Sequence, residues 1–313
     1  ADPADDQRWA IPLRYRWKPR DADPRTEQVL LDEESQQIVF AEEAEWVVVN
    51  AEGISFVRVA YDSESLDRLA EIAENHLSPI ERYALIDDAW AAVLADQMSS
   101  TAFLSVLEAM AAEADRSVWQ RIISGLGSLD RLLSGEARED FQSIAHDILA
   151  PALAGLGLSS LPADDDRTRQ LRGDLIRAMG TLANDLEIQQ EAQRTVAEGR
   201  RNPELVDAAI MAAAVEVTAS VGDEADFEDF RALSAAAETP QEELRYLYSL
   251  ADFPDPDLVA RLYPSILDGE IRTQNAPFWL RRALANRAVG PDTWRFIVDN
   301  WDALVAAFPS SSI

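Results

Sequence analysis

The sequence contains no cysteine, and Lys18 is the single lysine among its 313 residues. Without cysteine there is no disulfide framework, no thiol nucleophile and no cysteine-ligated metal, which fits a reducing cytoplasm. The charged stretch from Ala1 to Arg8 lacks the apolar core of a signal peptide. No run approaches the roughly 20 apolar residues that span a bilayer. We therefore predict a cytoplasmic protein without a membrane partner, and the abrupt start indicates a piece of a longer chain.

Positive charge is scarce throughout. Lysine and arginine together number 28 against 57 aspartates and glutamates, which gives a net charge of −29. Such a field repels phosphate backbones and anionic lipid headgroups. Nucleic acid is therefore not an expected partner. Strong acidity of this kind often serves only to keep a protein soluble.

The residue patterns of hydrolytic active sites are also missing. Helical zinc hydrolases use His-Glu-x-x-His, because positions i and i+4 place both imidazoles on one helix face. The chain has two histidines, His76 and His146, and neither begins that motif. Gly-x-Ser-x-Gly is absent, and Ser-x-x-Lys cannot occur after Lys18. The sequence therefore predicts no catalytic residue and no metal ligand in this chain.

Two short glycine pairs and one acidic run are the remaining candidates for ligand loops. The pairs Gly125-Leu-Gly127 and Gly155-Leu-Gly157 lack the third glycine of a dinucleotide loop and are typical of helix ends. The run Asp164-Asp165-Asp166 has no spaced ligand loop, which favours a linker and helix N-cap over a cation site.

The first sixty residues carry a β-type pattern. Short apolar runs alternate with turn residues, which predicts strands near 9–16, 28–31, 38–40, 45–50 and 55–61. We interpret residues 1–62 as a small β-sandwich domain.

After residue 62 the apolar period changes to that of a helix and stays there. Helix starts are marked by caps, for example Ser78-Pro79 and Thr239-Pro240. Helix pairs recur about every 35 to 40 residues, as in HEAT-like or armadillo-like repeats. The predicted fold is therefore mainly α, an α-helical solenoid over residues 63–313 preceded by the β-sandwich.

Charged and aromatic residues within the helical stripes also carry predictions. Asp87 and Asp88 lie in an apolar stripe and have to be paired there; Arg82 is off the ideal spacing, so partners on other helices are expected. We read them as a structural polar cluster at the junction of the two domains. Five tryptophans in such stripes are predicted to pack in the core: Trp90, Trp119, Trp279, Trp294 and Trp301.

Several segments, in order along nearly the whole chain, resemble one known family. The matching pieces are Trp9-Ala-Ile-Pro-Leu13, Gly53 to Asp62 with Arg58 and Tyr61, Leu77 to Ala89 with Arg82 and Asp88, Leu171 to Leu182, Ile271 to Pro277 with Gln274, and Trp294 to Trp301. Together they resemble the C-terminal half of the aminopeptidase N and puromycin-sensitive aminopeptidase family of zinc metallopeptidases, which includes the endoplasmic-reticulum aminopeptidases.

The resemblance implies a non-catalytic role for this chain. In that family the zinc motif, and with it the cofactor, belongs to upstream domains that this sequence lacks. The implied partners are the upstream catalytic domain of the same polypeptide and peptide substrates. The helical part would cap the active-site cavity and contribute to substrate binding, length selection and gating. Arginine is the preferred bidentate partner of a carboxylate, so four arginines are candidates for the peptide carboxylate: Arg172, Arg245, Arg281 and Arg282.

Two other interpretations stay open. One is a stand-alone HEAT-like scaffold that binds a protein partner on its concave face. Periodicity alone does not distinguish such a scaffold from the solenoid of an aminopeptidase. The other, an enzyme of a different class, has no converging set of acid, base, nucleophile or metal ligands to support it.

Overall fold

A computed structural model describes residues 9–308. Residues 1–8 and 309–313, at the outer ends of the two predicted domains, lie outside the described residues. The described chain divides into two compact units, one ending at Gly125 and the other beginning at Leu126. The sequence predicts a domain boundary at residue 62 instead, and that boundary stays a prediction.

The first unit combines a small antiparallel sheet with helices. Its elements are β1 (Ile11–Pro19), β2 (Arg25–Leu31), β3 (Ala44–Val49), α1 (Ser63–His76), α2 (Pro79–Leu94) and α3 (Ser100–Glu108). The strand order is β2-β1-β3, with Leu13 opposite Val29 and Tyr15 opposite Val49. Helix α4 (Arg116–Asp130) contains the boundary between the units.

The β-sandwich prediction is wrong for the described residues, which form one three-stranded sheet. The predicted strand at 38–40 is irregular, and Phe40 packs its ring 4.7 Å from that of Trp17 instead. A loop side chain thus covers part of the apolar sheet face, where the prediction had placed a second layer. The predicted strand at 55–61 is also irregular, with Phe56 fully exposed. Ser55 bonds through its backbone to the Asn50 side chain rather than to a neighbouring strand.

The second unit is helical. After the end of α4 it contains α5 (Glu136–Leu156), α6 (Asp166–Thr181), α7 (Leu186–Arg201), α8 (Ala208–Val221), α9 (Glu224–Ala236), α10 (Pro240–Ser249), α11 (Pro256–Ala260), α12 (Tyr263–Leu267), α13 (Ala276–Ala285), α14 (Gly290–Asp299) and α15 (Trp301–Ala307). Local chemistry sets the starts: the Asp165 carboxylate accepts the Thr168 N–H at 2.7 Å, which confirms the N-cap predicted for the acidic run.

Successive helices of this unit pack on their neighbours. Helix α5 packs on α6, α8 packs on both α6 and α7, and α10 packs on α9 and α13. The core between them is aromatic, with Phe253 in edge contact with Phe227 at 5.2 Å and Phe230 at 5.9 Å. Trp119 in α4 and Trp279 in α13 are fully buried, as predicted.

Glycine lets α6 approach α8 closely. A Cβ atom added to Gly180 would lie 2.5 Å from Cγ1 of Val217, and one added to Gly173 would lie 2.8 Å from the Ala209 carbonyl oxygen. Both distances are shorter than atoms tolerate, so this helix pair requires glycine at the contact.

We expect Gly180→Ala to destabilise the protein by about 1–3 kcal/mol, because the methyl group overpacks the contact with Val217. Gly155→Ala in α5 is the matched control: nothing lies within 4 Å of its added Cβ. Alanine there should stabilise the helix by about 0.5–1 kcal/mol. Denaturant unfolding of both variants checks this, and equal effects would contradict the close-packing account.

Candidate functional site

The second unit contains a polar cavity of about 430 Å³, within the range of small-ligand pockets, roughly 300–1,000 Å³. The last turns of α6, α8 and α13 line it, together with the start of α5 and the loop after α13. Helix C-termini carry partial negative charge and unpaired carbonyl groups, so they attract cationic side chains and N–H donors.

The charged lining of the cavity contains one more arginine than carboxylate. Its charged lining residues are the arginines Arg138, Arg177, Arg282 and Arg287 and the carboxylates Asp130, Glu216 and Asp252. In a chain with a net charge of −29, a wall with more guanidinium groups than carboxylates is a departure from the average surface. Such a wall lowers the cost of bringing an anionic group to this protein.

Arg282 is clamped at the centre of this network. Its Nε and Nη2 atoms donate to the two oxygens of Asp252 at 2.7 and 2.5 Å. Nη2 also lies 2.9 Å from Oε2 of Glu216. The guanidinium therefore joins α13 to the 3₁₀ turn Leu250–Asp252 and to α8, with the bidentate geometry that favours arginine over lysine.

Burial alters the protonation of this pair. It raises the pKa of the Asp252 carboxyl to about 6, although the Arg282 guanidinium opposes the shift. For Arg282 burial lowers the pKa and the two carboxylates raise it, with a net upward shift that keeps the guanidinium charged. Asp252 therefore titrates close to neutral pH while its partner does not.

Two other arginines are held loosely and have donors to spare. Arg177 contacts Asp174 at 3.2 Å and Glu216 at 3.3 Å, and 38% of its side chain is exposed. Arg287 donates to the Leu133 carbonyl oxygen at 2.6 Å, while its carboxylate neighbour Asp130 is 3.8 Å away. A guanidinium has five N–H donors, so both side chains can bind a further acceptor without breaking these contacts.

Among the four arginines predicted to meet a peptide, the cavity contains only Arg282. Arg172 is 1% exposed; it donates to the carbonyl oxygens of Gly157 and Leu156 and pairs with Asp164 at 2.8 Å. Arg172 thus binds the end of α5 in this structure, and its expected contact with a peptide carboxylate stays a prediction. Arg281 is exposed and Arg245 half-buried, both outside the cavity lining.

Arg177, Arg287, Glu216 and Asp252 were not singled out by the sequence. Arg177 lies five residues after Arg172, about 140° around the helix, so the two cannot share a face. One usable signal was present: Glu216 is the single charge in the fourteen residues of α8. A carboxylate in so apolar a helix requires a partner.

The family-motif residues of the first unit form a separate, structural set of contacts. Arg82 donates to both oxygens of Glu113, at 2.5 and 2.8 Å, rather than to Asp87. Arg58 bonds Asp87 and Asp88, and Arg121 bonds Asp87 at 2.8 Å. The expected partner on another helix is confirmed for Asp87, which pairs with Arg121 of α4, whereas Asp88 pairs with Arg58 in an irregular segment.

Tyr61 ties the end of this segment to the sheet. Its hydroxyl accepts the backbone N–H of Val49 at 2.9 Å, and burial raises the pKa of the phenol to about 12. The side chain is therefore neutral and acts as a structural anchor for β3.

The C-terminal motif residues are at the surface. Gln274 is exposed, and Trp294 and Trp301 are 60% and 53% exposed. The prediction that these two tryptophans pack in the core is wrong, because the buried faces of α14 and α15 are formed by Ile297 and Leu304.

Residues 9–308 do not fit a zinc site. They contain no group of three or more metal-ligating side chains. His76 stacks near Trp46, with 5.9 Å between ring centres, while His146 lies beside Asp147 and Asp185. The helices of the same region include none with the length and apolarity needed to cross a membrane.

The sequence profile of the ERAP1-like C-terminal domain matches residues 46–313, so the chain belongs to that family. The family resemblance read from the motifs is thereby confirmed.

Its relatives are aminopeptidases. The chain is 28% identical to Aminopeptidase M1-A of Oryza sativa over 84% of its length and 26% identical to Aminopeptidase M1 of Arabidopsis thaliana over 86%. It is 24% identical over 90% of its length to the mitochondrial Aminopeptidase 2 of Saccharomyces cerevisiae. These matches cover 31%, 32% and 30% of the relatives, so the chain spans about a third of their length.

We expect Asp252→Asn to change how stability depends on pH. The pKa of Asp252 is raised from 3.8 to about 6 in the folded protein. Protonated Asp252 therefore adds to the free energy of unfolding below pH 4, and this stabilisation is lost as the pH rises through 6. The stability of the wild type relative to Asp252→Asn should fall across that window by up to about 3 kcal/mol.

Urea unfolding of both proteins from pH 4 to pH 7 measures this difference. Asp229→Asn is the matched control, since it removes a carboxylate from an exposed pair with Arg200 and leaves the cavity unchanged. A difference between wild type and Asp252→Asn that rises with pH would overturn the assignment.

Proposed function

We propose that this chain is the non-catalytic C-terminal portion of a zinc aminopeptidase, where it caps the active-site cavity and binds the far end of the peptide substrate. The observation that carries the proposal is its family membership, combined with a match to only about a third of each aminopeptidase relative. The chemistry would then reside in the rest of the polypeptide, together with the zinc ion.

The cavity in the second unit supports peptide binding in particular. A peptide C-terminus combines a carboxylate with backbone N–H donors. Arg177 and Arg287 can donate to the carboxylate, while the helix C-termini and Glu216 can accept from the N–H groups. An inorganic anion would use only the first of these features. Arg281 and Arg245 remain candidates for contacts further along the peptide.

The packing of successive helices supports a HEAT-like solenoid as the architecture of this portion. Helix α6 packs on α5 and α7, α8 packs on α6 and α7, and α10 packs on α8 and α9, as neighbouring helices of a solenoid do. A curved array of this kind can close over a neighbouring domain, which would select peptides by length and gate their entry. The partner would be the catalytic region of the same polypeptide, in the cytoplasm as the lack of cysteine suggests.

The first test is hydrolysis of a chromogenic aminoacyl amide in the presence of zinc. We expect no turnover by this chain and chelator-sensitive turnover by a polypeptide extended with the upstream coding sequence. Zinc-dependent turnover by the chain alone, or none by the extended polypeptide, would contradict the proposal.

The second test concerns the cavity. In the extended polypeptide, Arg177→Ala with Arg287→Ala should lower kcat/KM for long peptides by about 10- to 100-fold, the loss expected for one or two charged hydrogen bonds. Cleavage of the aminoacyl amide should be unchanged. The control is Arg194→Ala with Arg201→Ala, two exposed arginines of α7 outside the cavity. Equal losses on short and long substrates would exclude a role in binding the far end of the peptide.

A further inference from the structure

A second, smaller cavity of the second unit lies among α9, α10 and α12. Its volume is about 220 Å³, and it shares no lining residue with the polar cavity described above. Pockets for drug-sized ligands have volumes of roughly 300–1,000 Å³. The size of this cavity therefore suits a molecule smaller than a drug or a peptide.

The floor of this cavity is aliphatic. It is formed by Leu247 of α10, Leu250, Leu262 and Ile271, all of which are buried. An apolar group that covers this floor leaves water and displaces water from the cavity, which favours binding. One part of the ligand is therefore a small aliphatic group.

The turn after α12 holds a carboxylate in a fixed position at the rim. The buried Ser265 hydroxyl donates to Oε2 of Glu270 at 2.6 Å, and the Ile271 N–H donates to the Ser265 carbonyl oxygen at 2.8 Å. Within residues 9–308, no cationic side chain lies at ion-pair distance from Glu270, which lines the cavity. Its negative charge is therefore available to a ligand, and Oε1 is free to accept a hydrogen bond.

A guanidinium of α9 lines the same cavity and is also poorly compensated. Arg231 has a carboxylate neighbour in Glu228, but the two are 3.8 Å apart and Arg261 already binds Glu228 at 3.0 Å. In the described part of the chain Arg231 forms no hydrogen bond, so its N–H donors are available as well.

The other two charges at the rim show the contrast. Arg272 donates to Glu243 at 3.2 Å, so these two neutralise each other. Arg231 and Glu270 line the same cavity without pairing with each other. The rim therefore presents one available cation and one available anion above an aliphatic floor. A ligand that carries both charges at one end would compensate both side chains at once.

We propose that this cavity binds a free α-amino acid with an aliphatic side chain, such as leucine. Its carboxylate accepts from Arg231, its ammonium donates to Glu270, and its side chain covers the aliphatic floor. A fatty acid or an alkylamine would leave one of the two rim charges uncompensated, and a peptide separates its terminal charges. The proposal does not rest on the aminopeptidase function, because it uses only the residues of this cavity.

Three probes with the same branched carbon chain test the ligand class. L-Leucine carries both charges, 3-methylbutylamine carries only the ammonium, and 4-methylpentanoate carries only the carboxylate. The NMR methyl signals of Leu247, Leu250, Leu262 and Ile271 in the isotope-labelled chain report binding at neutral pH. Leucine should shift them in a saturable way, with a Kd at least about tenfold lower than either other probe, since each of those lacks one charge-assisted hydrogen bond.

Two variants test the two rim charges separately. Arg231→Gln should weaken leucine binding at least about tenfold without weakening 3-methylbutylamine, which has no carboxylate. Glu270→Gln should weaken leucine to a similar extent without weakening 4-methylpentanoate, which has no ammonium. Both side chains are exposed, and unchanged methyl spectra of the free variants verify that the fold persists. Arg295→Gln, which removes an exposed arginine of α14 paired with Asp292, is the matched control and should leave all three affinities unchanged.

Three results would each overturn the proposal: no saturable shift with leucine up to about 10 mM, equal affinities of the three probes, or leucine binding that both rim variants retain. Tighter binding of the dipeptide Leu-Leu than of leucine would overturn it as well, by assigning the cavity to peptides.

Discussion

The need to neutralise carboxylates inside a helical core organises the second unit. Glu216 in the apolar helix α8 and Asp252 in the following 3₁₀ turn both meet Arg282 on α13, at 2.9 Å and at 2.5–2.7 Å. Removing the guanidinium would leave the partly buried Asp252 without its ion pair and Glu216 with only the looser contact of Arg177, and the loss of a buried pair costs several kcal/mol. The same constraint holds the ends of α8 and α13 close together. Because Gly180 lets α6 approach α8, Arg177 reaches Glu216 as well, and the cavity is framed by these contacts.

This arrangement supports the proposed role, in which the chain binds one end of a peptide and the rest of the polypeptide carries out the chemistry. The tightly clamped Arg282 positions carboxylates, and the loosely held Arg177 and Arg287 keep free donors at the cavity wall. A fixed arginine that holds the cavity wall together, beside arginines with free donors, is what the proposed binding of one end of a long substrate requires. In the described part of the first unit, Arg58, Arg82 and Arg121 are instead paired with carboxylates of the same unit.

Local signals in the sequence were sufficient for the elements whose stability is local. Asp165 caps α6 as expected, and Trp119 and Trp279 are core residues. The errors share a physical cause, since an amphipathic pattern is the same whether or not another element covers its apolar side. Trp294 and Trp301 therefore looked buried, and residues 38–40 and 55–61 looked like strands of a second layer. The cavity was hidden for another reason: Arg282 meets Asp252 and Glu216 across 30 and 66 positions of the chain, respectively, and no local spacing reveals such pairs.

The central claim is that the cavity recognises the carboxylate end of a peptide through Arg177 and Arg287. Its most direct test is an NMR titration of the isotope-labelled chain with one peptide in two forms, a free C-terminal acid and the corresponding amide. The account predicts that the Nε–H signals of Arg177 and Arg287 shift with the acid and stay in place with the amide. Equal shifts with both peptides, or shifts confined to arginines outside the cavity, would contradict it.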